Sequence, residues 1–340
     1  MTGEWQLSTL ASAAAAFAVS VLLALYLTPI FRDSARRFGI LDRPDGGLKT
    51  QGEPVPYLGG LAVFGAVIIP VSVFLQFSDT LAGLLLASTL VVLLGLIDDI
   101  GRLSPRIKLL VQVVAIFLML KSGIRIRVAF LPPVVSVGLT FLWMLLLTNG
   151  FNLIDVMDGL AAGVALVSAA ALSVIFLLQG NRTGVILCLS LAGALAGFLR
   201  FNRAPAQIYL GDAGSLFLGF LLGGLALGAD YTLRNPLGWL SALAIFAVPI
   251  FEIAFISYLR VRRGASIFVG SRDHFSLRLR KWRLSTGQTV LSSCAAAAAS
   301  AGVGLAAMFL QPRTSLFWYG GIGAAFLVVA VWLKAIDMKL

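Results

Sequence analysis

Residues 148–163 read TNGFNLIDVMDGLAAG, and they lie between two long apolar runs, Val134–Leu147 and Leu160–Leu178. Within them Asn149, Asn152, Asp155 and Asp158 follow one another at steps of three. On a helix, residues three apart share a face, so two amides and two carboxylates would form one polar stripe. A charge at bilayer depth costs roughly 2.5–3.5 kcal/mol on insertion scales. Groups this polar, next to apolar runs long enough to cross a membrane, mark either an aqueous boundary or a site with work to do.

The surrounding composition fixes the class. Of 340 residues, 59% are hydrophobic and 12% charged, and the mean hydropathy is +0.97. These values exclude an ordinary soluble domain and indicate an all-α, polytopic transmembrane helical bundle, read as one membrane-embedded domain over 1–340. The first apolar run is too long for a signal-peptide core and has no preceding basic cluster, so it reads as a retained helix. Cys188 and Cys294, the two cysteines, both fall inside apolar runs; this excludes a disulfide scaffold and a cysteine-based metal site. The net charge of +11 would suit nucleic acid in a soluble protein. Here the position of the charges matters more, and no nucleic-acid partner is expected.

Eleven spans are expected, at about 8–31, 58–77, 81–97, 107–121, 133–148, 159–179, 184–200, 214–229, 237–259, 289–310 and 316–334, or ten if the short fourth or the glycine-rich eighth is miscounted. With the N-terminus outside and the C-terminus cytoplasmic, segments 32–57, 98–108, 149–158, 200–213, 260–288 and the C-terminal tail face the cytoplasm. They carry 20 of the 26 Lys and Arg residues, as the positive-inside rule requires. Lys121, Arg125 and Arg127 run against it in one outer loop. The same orientation gathers the unusual polar clusters on the cytoplasmic face.

Each cluster has a plain reading and a chemical one. Asp98-Asp99 ends an apolar run; cations rather than anions suit a helix C-terminus, so an adjacent carboxylate pair there favours uptake of a metal ion or proton. Ser104-Pro105 has the form of an N-cap followed by Pro at the first helical position, with Lys108 one turn in and Gln112 a turn further. Lys108 alone could snorkel to the interface; beside two carboxylates it suits a phosphate. Gly211-Asp212-Ala213-Gly214-Ser215 opens an apolar helix, with Asp212 either as a helix cap or near a phosphate-bound cation. His274, the single histidine, stands in a basic loop with Asp273, Arg278 and Arg280. Such a loop touches anionic head groups and can also contact a diphosphate. The Asn and Asp oxygens are hard ligands that suit Mg²⁺, with one or two carboxylates, waters and substrate phosphates around it. Phosphoryl transfer at a membrane surface is the chemistry these groups share.

Taken together, these pieces resemble the polyprenyl-phosphate N-acetylhexosamine-1-phosphate transferases, the family that includes the phospho-N-acetylmuramoyl-pentapeptide transferases. The matching pieces run in order over residues 42–288: Asp42-Arg-Pro-Asp with Lys49, Pro54-Val-Pro-Tyr-Leu-Gly-Gly60, Asp98-Asp99 with Lys108 and Gln112, Asn149 to Gly159, Gly211 to Ser215, and the segment from Pro249 to Gln288 with Arg260, Asp273, His274 and Arg278. The resemblance implies Mg²⁺-dependent transfer of a sugar 1-phosphate from a UDP-sugar to undecaprenyl phosphate, with release of UMP, to start a lipid-linked cell-envelope glycan. It implies an enzyme of the bacterial cytoplasmic membrane, surrounded by membrane lipids, with its active site facing the cytoplasm, Mn²⁺ as the alternative ion and homodimerisation open. By motif, Asp98, Asp99 and Lys108 would be catalytic, and Asn152 and Asp212 the metal contacts. Lys49, Asn149, Asp155, Asp158, Arg260, Asp273, His274 and Arg278 would bind substrate.

The chain departs from the family pattern at three places. Gln51 stands where a histidine often follows the lysine, the late loop keeps one histidine, and Glu252 takes the place of an expected aspartate. The early Asp-x-Pro stretch is more similar to the N-acetylglucosamine or N-acetylgalactosamine branch than to the muramoyl-pentapeptide branch. Two rival readings are a cation-coupled transporter and a relative that binds lipid phosphate without turnover. The transporter would set acidic residues at mid-span on opposing repeats, whereas here only Glu252 lies well within an apolar run. Loss of loop histidines would be the signature of the second.

Overall fold

The computed structural model describes residues 2–42, 54–101, 103–127, 131–266, 273–336 and 338, with side chains from Leu7 onward. Lys49 and most of the Asp42-Arg-Pro-Asp stretch lie outside the described residues.

The chain is helical almost throughout. α1 (Thr2–Phe38) is followed by β1 (Leu41–Asp42) and β2 (Val55–Pro56), then α2 (Gly59–Phe74), α3 (Asp79–Gly101), α4 (Pro105–Lys121), α5 (Pro133–Ile154) and α6 (Leu160–Leu178). After these come α7 (Arg182–Asn202), α8 (Gly211–Gly228), α9 (Leu240–Ile245), α10 (Ala247–Arg262), α11 (Phe275–Lys281), α12 (Thr286–Ala307) and α13 (Pro312–Lys334). Among the described residues eight helices, α1, α3, α5, α6, α7, α8, α12 and α13, are long and apolar enough to cross a membrane. At 1.5 Å per residue about 20 residues cover the hydrocarbon core, and α2 and α4, with 16 and 17 residues, fall a little short of that.

The helices overrun the apolar stretches that foretell them, so much of what reads as loop is helix end. α1 continues to Phe38 and stops at Gly39, whose φ is +72°. Gly39 N donates to Arg36 O and Ile40 N to Ala35 O, the paired bonds that close a helix through a left-handed glycine. Asp98 and Asp99 lie within α3, Asn149 and Asn152 within α5, and Asp212 within α8.

The expected span 237–259 is the clearest correction: it is two helices, α9 and α10, parted at Phe246. Pro249 has no N–H to give Ile245 O four residues back. That carbonyl instead accepts from Ser168 Oγ of α6 at 3.3 Å, so the freed backbone group is satisfied by a neighbouring helix, as a bilayer demands.

α8 is the centre of the bundle. From Gly211 to Ala226 only the side chain of Asp212 is more than marginally exposed, and α3 and α5 pack along it. Helices in lipid gain no hydrophobic drive toward one another and rely on close packing at small residues. A Cβ on Gly95 of α3 would collide with the backbone of Asp212 and Ala213, and one on Gly219 of α8 with the backbone of Leu147 and Thr148 on α5. These two contacts bring the ends of α3 and α5 against the start of α8. The short β1–β2 ladder pairs Leu41 with Pro56 and Asp42 with Val55. Tyr209 N donates to Pro56 O at 2.8 Å and Gly59 N to Tyr209 O at 3.0 Å, which stitches the entry to α8 onto the entry to α2.

Candidate active site

An α-helix begins with backbone N–H groups that have no partner inside it. The N-cap position of α8 is Leu210, which offers no side-chain oxygen. The partner arrives from α3: Asp99 Oδ1 accepts from Asp212 N at 2.8 Å and Asp99 Oδ2 from Ala213 N at 3.1 Å. Gly211 (φ +74°) makes the approach feasible, because a Cβ there would stand 2.6 Å from Asp99 Oδ2. Asp212 is therefore not the cap its position suggests. It occupies the first turn with its side chain free for other contacts.

Those contacts form a compact polar cluster. Asp212 Oδ1 accepts from Asn152 Nδ2 at 2.8 Å, and Asp212 Oδ2 from Lys108 Nζ at 2.8 Å. Lys108 also pairs with Asp98, whose Oδ1 takes the Leu103 N–H at 2.5 Å. Ser215 Oγ, one turn along α8, accepts from Asn152 Nδ2 at 3.0 Å. The Ser104 cap is present as expected, accepting from Ile107 N at 3.4 Å with Pro105 at the helix start; it aims the first turn of α4, and so Lys108, at the cluster. Five elements of the sequence expectation meet here: Asp98, Asp99, Lys108, Asn152 and Asp212.

The Asn/Asp stripe divides where α5 ends. Asn149 pairs side by side with Gln112, its Nδ2 donating to Gln112 Oε1 at 2.9 Å. Asp155 caps the end of α5, and no group among the described residues hydrogen-bonds its carboxylate. Burial, then the charges of Asp212, Asp99 and Asp158, hold its carboxyl well above the ordinary 3.8. Asp158 accepts from Ala206 N at 3.0 Å. Burial raises its carboxyl too, against the opposing pull of that N–H and of Arg280.

The late loop is assembled by pairing among its own residues. His274 Nδ1 lies 2.6 Å from Glu252 Oε1, and Glu252 Oε2 accepts from Phe275 N at 3.2 Å. A carboxylate from α10 thus holds the start of α11, the same device that Asp99 supplies to α8. Asp273 pairs with Arg263 and, at 2.7 Å, with Arg278. Arg278 is 1% exposed and gives its remaining Nη1 donors to Leu333 O at 3.0 Å and Ile336 O at 2.8 Å. Asp273 and Arg278 therefore brace the loop against the end of α13, and Arg260 is buried beside them.

Sequence reasoning missed Ser215 as a partner of Asn152, and Glu252 as the partner of the single histidine. The signal for Glu252 was its solitary charge within an apolar run. Arg280, whose charge reaches Asp158, had no such signal.

The donor set has the chemistry of a hard-cation site. Asp98, Asp99, Asp155, Asp158 and Asp212 press together with Lys108 the one cation paired to them among the described residues, leaving an excess of negative charge. Among the described residues no three carboxylate, imidazole or thiol groups converge on one point. Mg²⁺ needs no such cage, since it keeps waters and takes one or two protein carboxylates.

A family model described as glycosyl transferase family 4 matches residues 81–230. The chain is 32% identical over 285 residues to a "Probable undecaprenyl-phosphate N-acetylglucosaminyl 1-phosphate transferase" of Bacillus subtilis, covering 81% of this chain and 79% of that protein. It is 28% identical over 310 residues to the undecaprenyl-phosphate alpha-N-acetylglucosaminyl 1-phosphate transferase of Salmonella typhi, covering 86% and 84%. With the protein of that same name from Escherichia coli K12 it shares 25% identity over 306 residues, covering 86% and 83%.

Proposed function

The chain belongs to glycosyl transferase family 4, and on that premise we propose that it transfers N-acetylhexosamine 1-phosphate from a UDP-sugar to undecaprenyl phosphate and releases UMP. The names of the relatives favour N-acetylglucosamine as the sugar. The observation that carries the reading is the cluster in which Lys108 stands between Asp98 and Asp212 while Asn152 holds the other oxygen of Asp212.

In the proposed reaction an oxygen of the lipid phosphate attacks the phosphorus that bears the sugar. The bond from that phosphorus to the bridging oxygen breaks, and the electron pair leaves with UMP. Lys108 is a point charge within reach of the diphosphate and offsets its charge as the bond breaks. Asp98, paired with Lys108, accepts a proton from the lipid phosphate. Asp99 holds the first turn of α8 and thereby fixes Asp212. Asp212 and Asn152 would hold Mg²⁺, with Asp155 and Asp158 adding negative potential. When bound, the ion supplies charge stabilisation on the transferred group. His274, Arg260 and the late loop line the sugar side, where Glu252 fixes the imidazole by its Nδ1.

The positive-inside count supports an outside N-terminus and a cytoplasmic C-terminus in the bacterial inner membrane. In that arrangement α2, α4 and the α9–α10 pair join the eight long helices to make eleven crossings, and the active site opens to the cytoplasm as part of a single domain. The reading is tested by UMP release from purified protein given undecaprenyl phosphate, Mg²⁺ and UDP-N-acetylglucosamine. Metal- and lipid-dependent UMP is expected, and Asp212→Asn should lower it by at least about a hundredfold while the protein still inserts. Full turnover in that variant would remove Asp212 from the site.

A further inference from the structure

Away from the Asp98–Lys108–Asp212 cluster, and sharing no residue with it, a cavity of about 340 Å³ opens where the C-terminal ends of α10 and α13 meet the late loop. Tyr258, Arg262, Arg263, Arg278, Lys334 and Ile336 are among its lining residues. Two helix C-termini carry partial negative charge and by themselves repel anions. Four side-chain cations reverse that sign, and the single carboxylate paired with them among the described residues, Asp273, is shared by Arg263 and Arg278.

The cations are held in two ways. Arg278 is locked by Asp273 and two backbone carbonyls, and its Nε is buried without a partner among the described residues. Lys334 is steered by Tyr258, donating to its hydroxyl at 3.1 Å and standing 5.4 Å from its ring centroid. Arg262 makes no ion pair among the described residues. The wall below the cavity is lipid-facing: of all α13, only Ser315 and Leu333 are buried, and Val328, Val331 and Trp332 are exposed just beneath Lys334. An acyl chain lying along this face ends with its head group at the cations.

We propose that this cavity is a discrete site for the phosphate of an anionic membrane phospholipid. Its phosphodiester would take Arg262 and Lys334, with Arg278 as the buried positive floor and the acyl chains lying on α13. The site shares no residue with the Asp98–Lys108–Asp212 cluster, and the proposal holds whichever leaflet it faces.

The test is native mass spectrometry of the full-length protein in detergent, titrated separately with phosphatidylglycerol, phosphatidylcholine, undecaprenyl phosphate and inorganic phosphate. One retained phosphatidylglycerol is expected, at a concentration on the order of tenfold below that needed for phosphatidylcholine. The double variant Arg262→Gln/Lys334→Gln, at two exposed positions of which the Lys334 side chain bonds only to Tyr258 among the described residues, should lose the preference. Arg313→Gln, which removes an exposed charge at the other end of α13, should keep it. Equal retention of the two phospholipids, or an unchanged preference in the double variant, overturns the proposal. Retention of undecaprenyl phosphate in place of phosphatidylglycerol also overturns it and assigns the cavity to the acceptor. Displacement of phosphatidylglycerol by low inorganic phosphate overturns the lipid assignment in favour of a free anion.

Discussion

Adjacent carboxylates in one sequence motif do different physical work. Asp99 has both oxygens committed to backbone N–H groups of α8, whereas Asp98 faces Lys108 and a single backbone N–H. An asparagine at 98 keeps an oxygen for Leu103 N and turns its NH₂ toward Lys108, whose other partner is Asp212, so Asp98→Asn should lose turnover at the smaller cost to the fold. An asparagine at 99 turns an NH₂ toward an N–H, donor against donor. Asp99→Asn should therefore lower the thermal midpoint as well as the rate, by about the 0.5–2 kcal/mol of a lost helix cap. Equal midpoints for the two variants would show that Asp99 is not a clamp. Asp155 sets a pH dependence. Its carboxyl is raised above 3.8 by burial and by Asp212, Asp99 and Asp158. In the metal-free protein this group favours folding most fully below 3.8 and loses that contribution as pH rises through its raised value. A divalent cation beside it favours the ionised form, so the gain in thermal midpoint from Mg²⁺ should grow as pH rises from 3.8 through the raised value. A gain that shrinks over this range would separate Asp155 from the ion.

Elements meet at small residues, and the site inherits its geometry from those meetings. Gly95 lets α3 touch the backbone that opens α8, and it lies one turn before Asp98 and Asp99. Gly95→Val should force α3 away, at about 1–3 kcal/mol of overpacking, and abolish UMP release without touching any polar residue of the site. The measurement is turnover in membranes together with the melting curve; a fully active valine variant would dissociate α3 packing from catalysis. The break between α9 and α10 shows how much of an element can be read in advance. Pro249 stands in plain sight in the sequence and warns of a disturbed helix. Which group takes the freed carbonyl is another matter: Ser168 of α6 reaches Ile245 O, and nothing local to the proline names it.

At the scale of the molecule, composition and apolar run length were enough for the all-α membrane class. The spacing of Asn149, Asn152, Asp155 and Asp158, with Asp98-Asp99, Lys108 and Asp212, was enough to pick out most of the polar cluster that the fold gathers. Asn149, Asn152, Asp98, Lys108 and Asp212 each meet another side chain, and residue identity announces such complementarity. The contacts that stayed hidden run to the backbone: Asp99 to two amides 113 and 114 positions away, and Arg278 to two carbonyls of the C-terminal helix. Amides and carbonyls are the same in every residue, so a sequence gives no sign of which ones a side chain will find. Orientation follows from charge rather than packing. With Cys188 and Cys294 replaced by serine, single cysteines at Gly264 and Arg313 should react with a membrane-impermeant thiol reagent from opposite sides, the first only after the membrane is opened. Labelling of both from one side would refute the eleven-crossing arrangement.

The tie between Arg278 and the carbonyls of Leu333 and Ile336 also orders events in time. α13 leaves the ribosome after the late loop, so the guanidinium of Arg278 waits with unanswered donors until α13 has been made. Translation and insertion of the last helix therefore complete the loop beside the catalytic face. A chain interrupted before that helix carries every residue of the Asp98–Lys108–Asp212 cluster and still lacks the stitch that closes the loop.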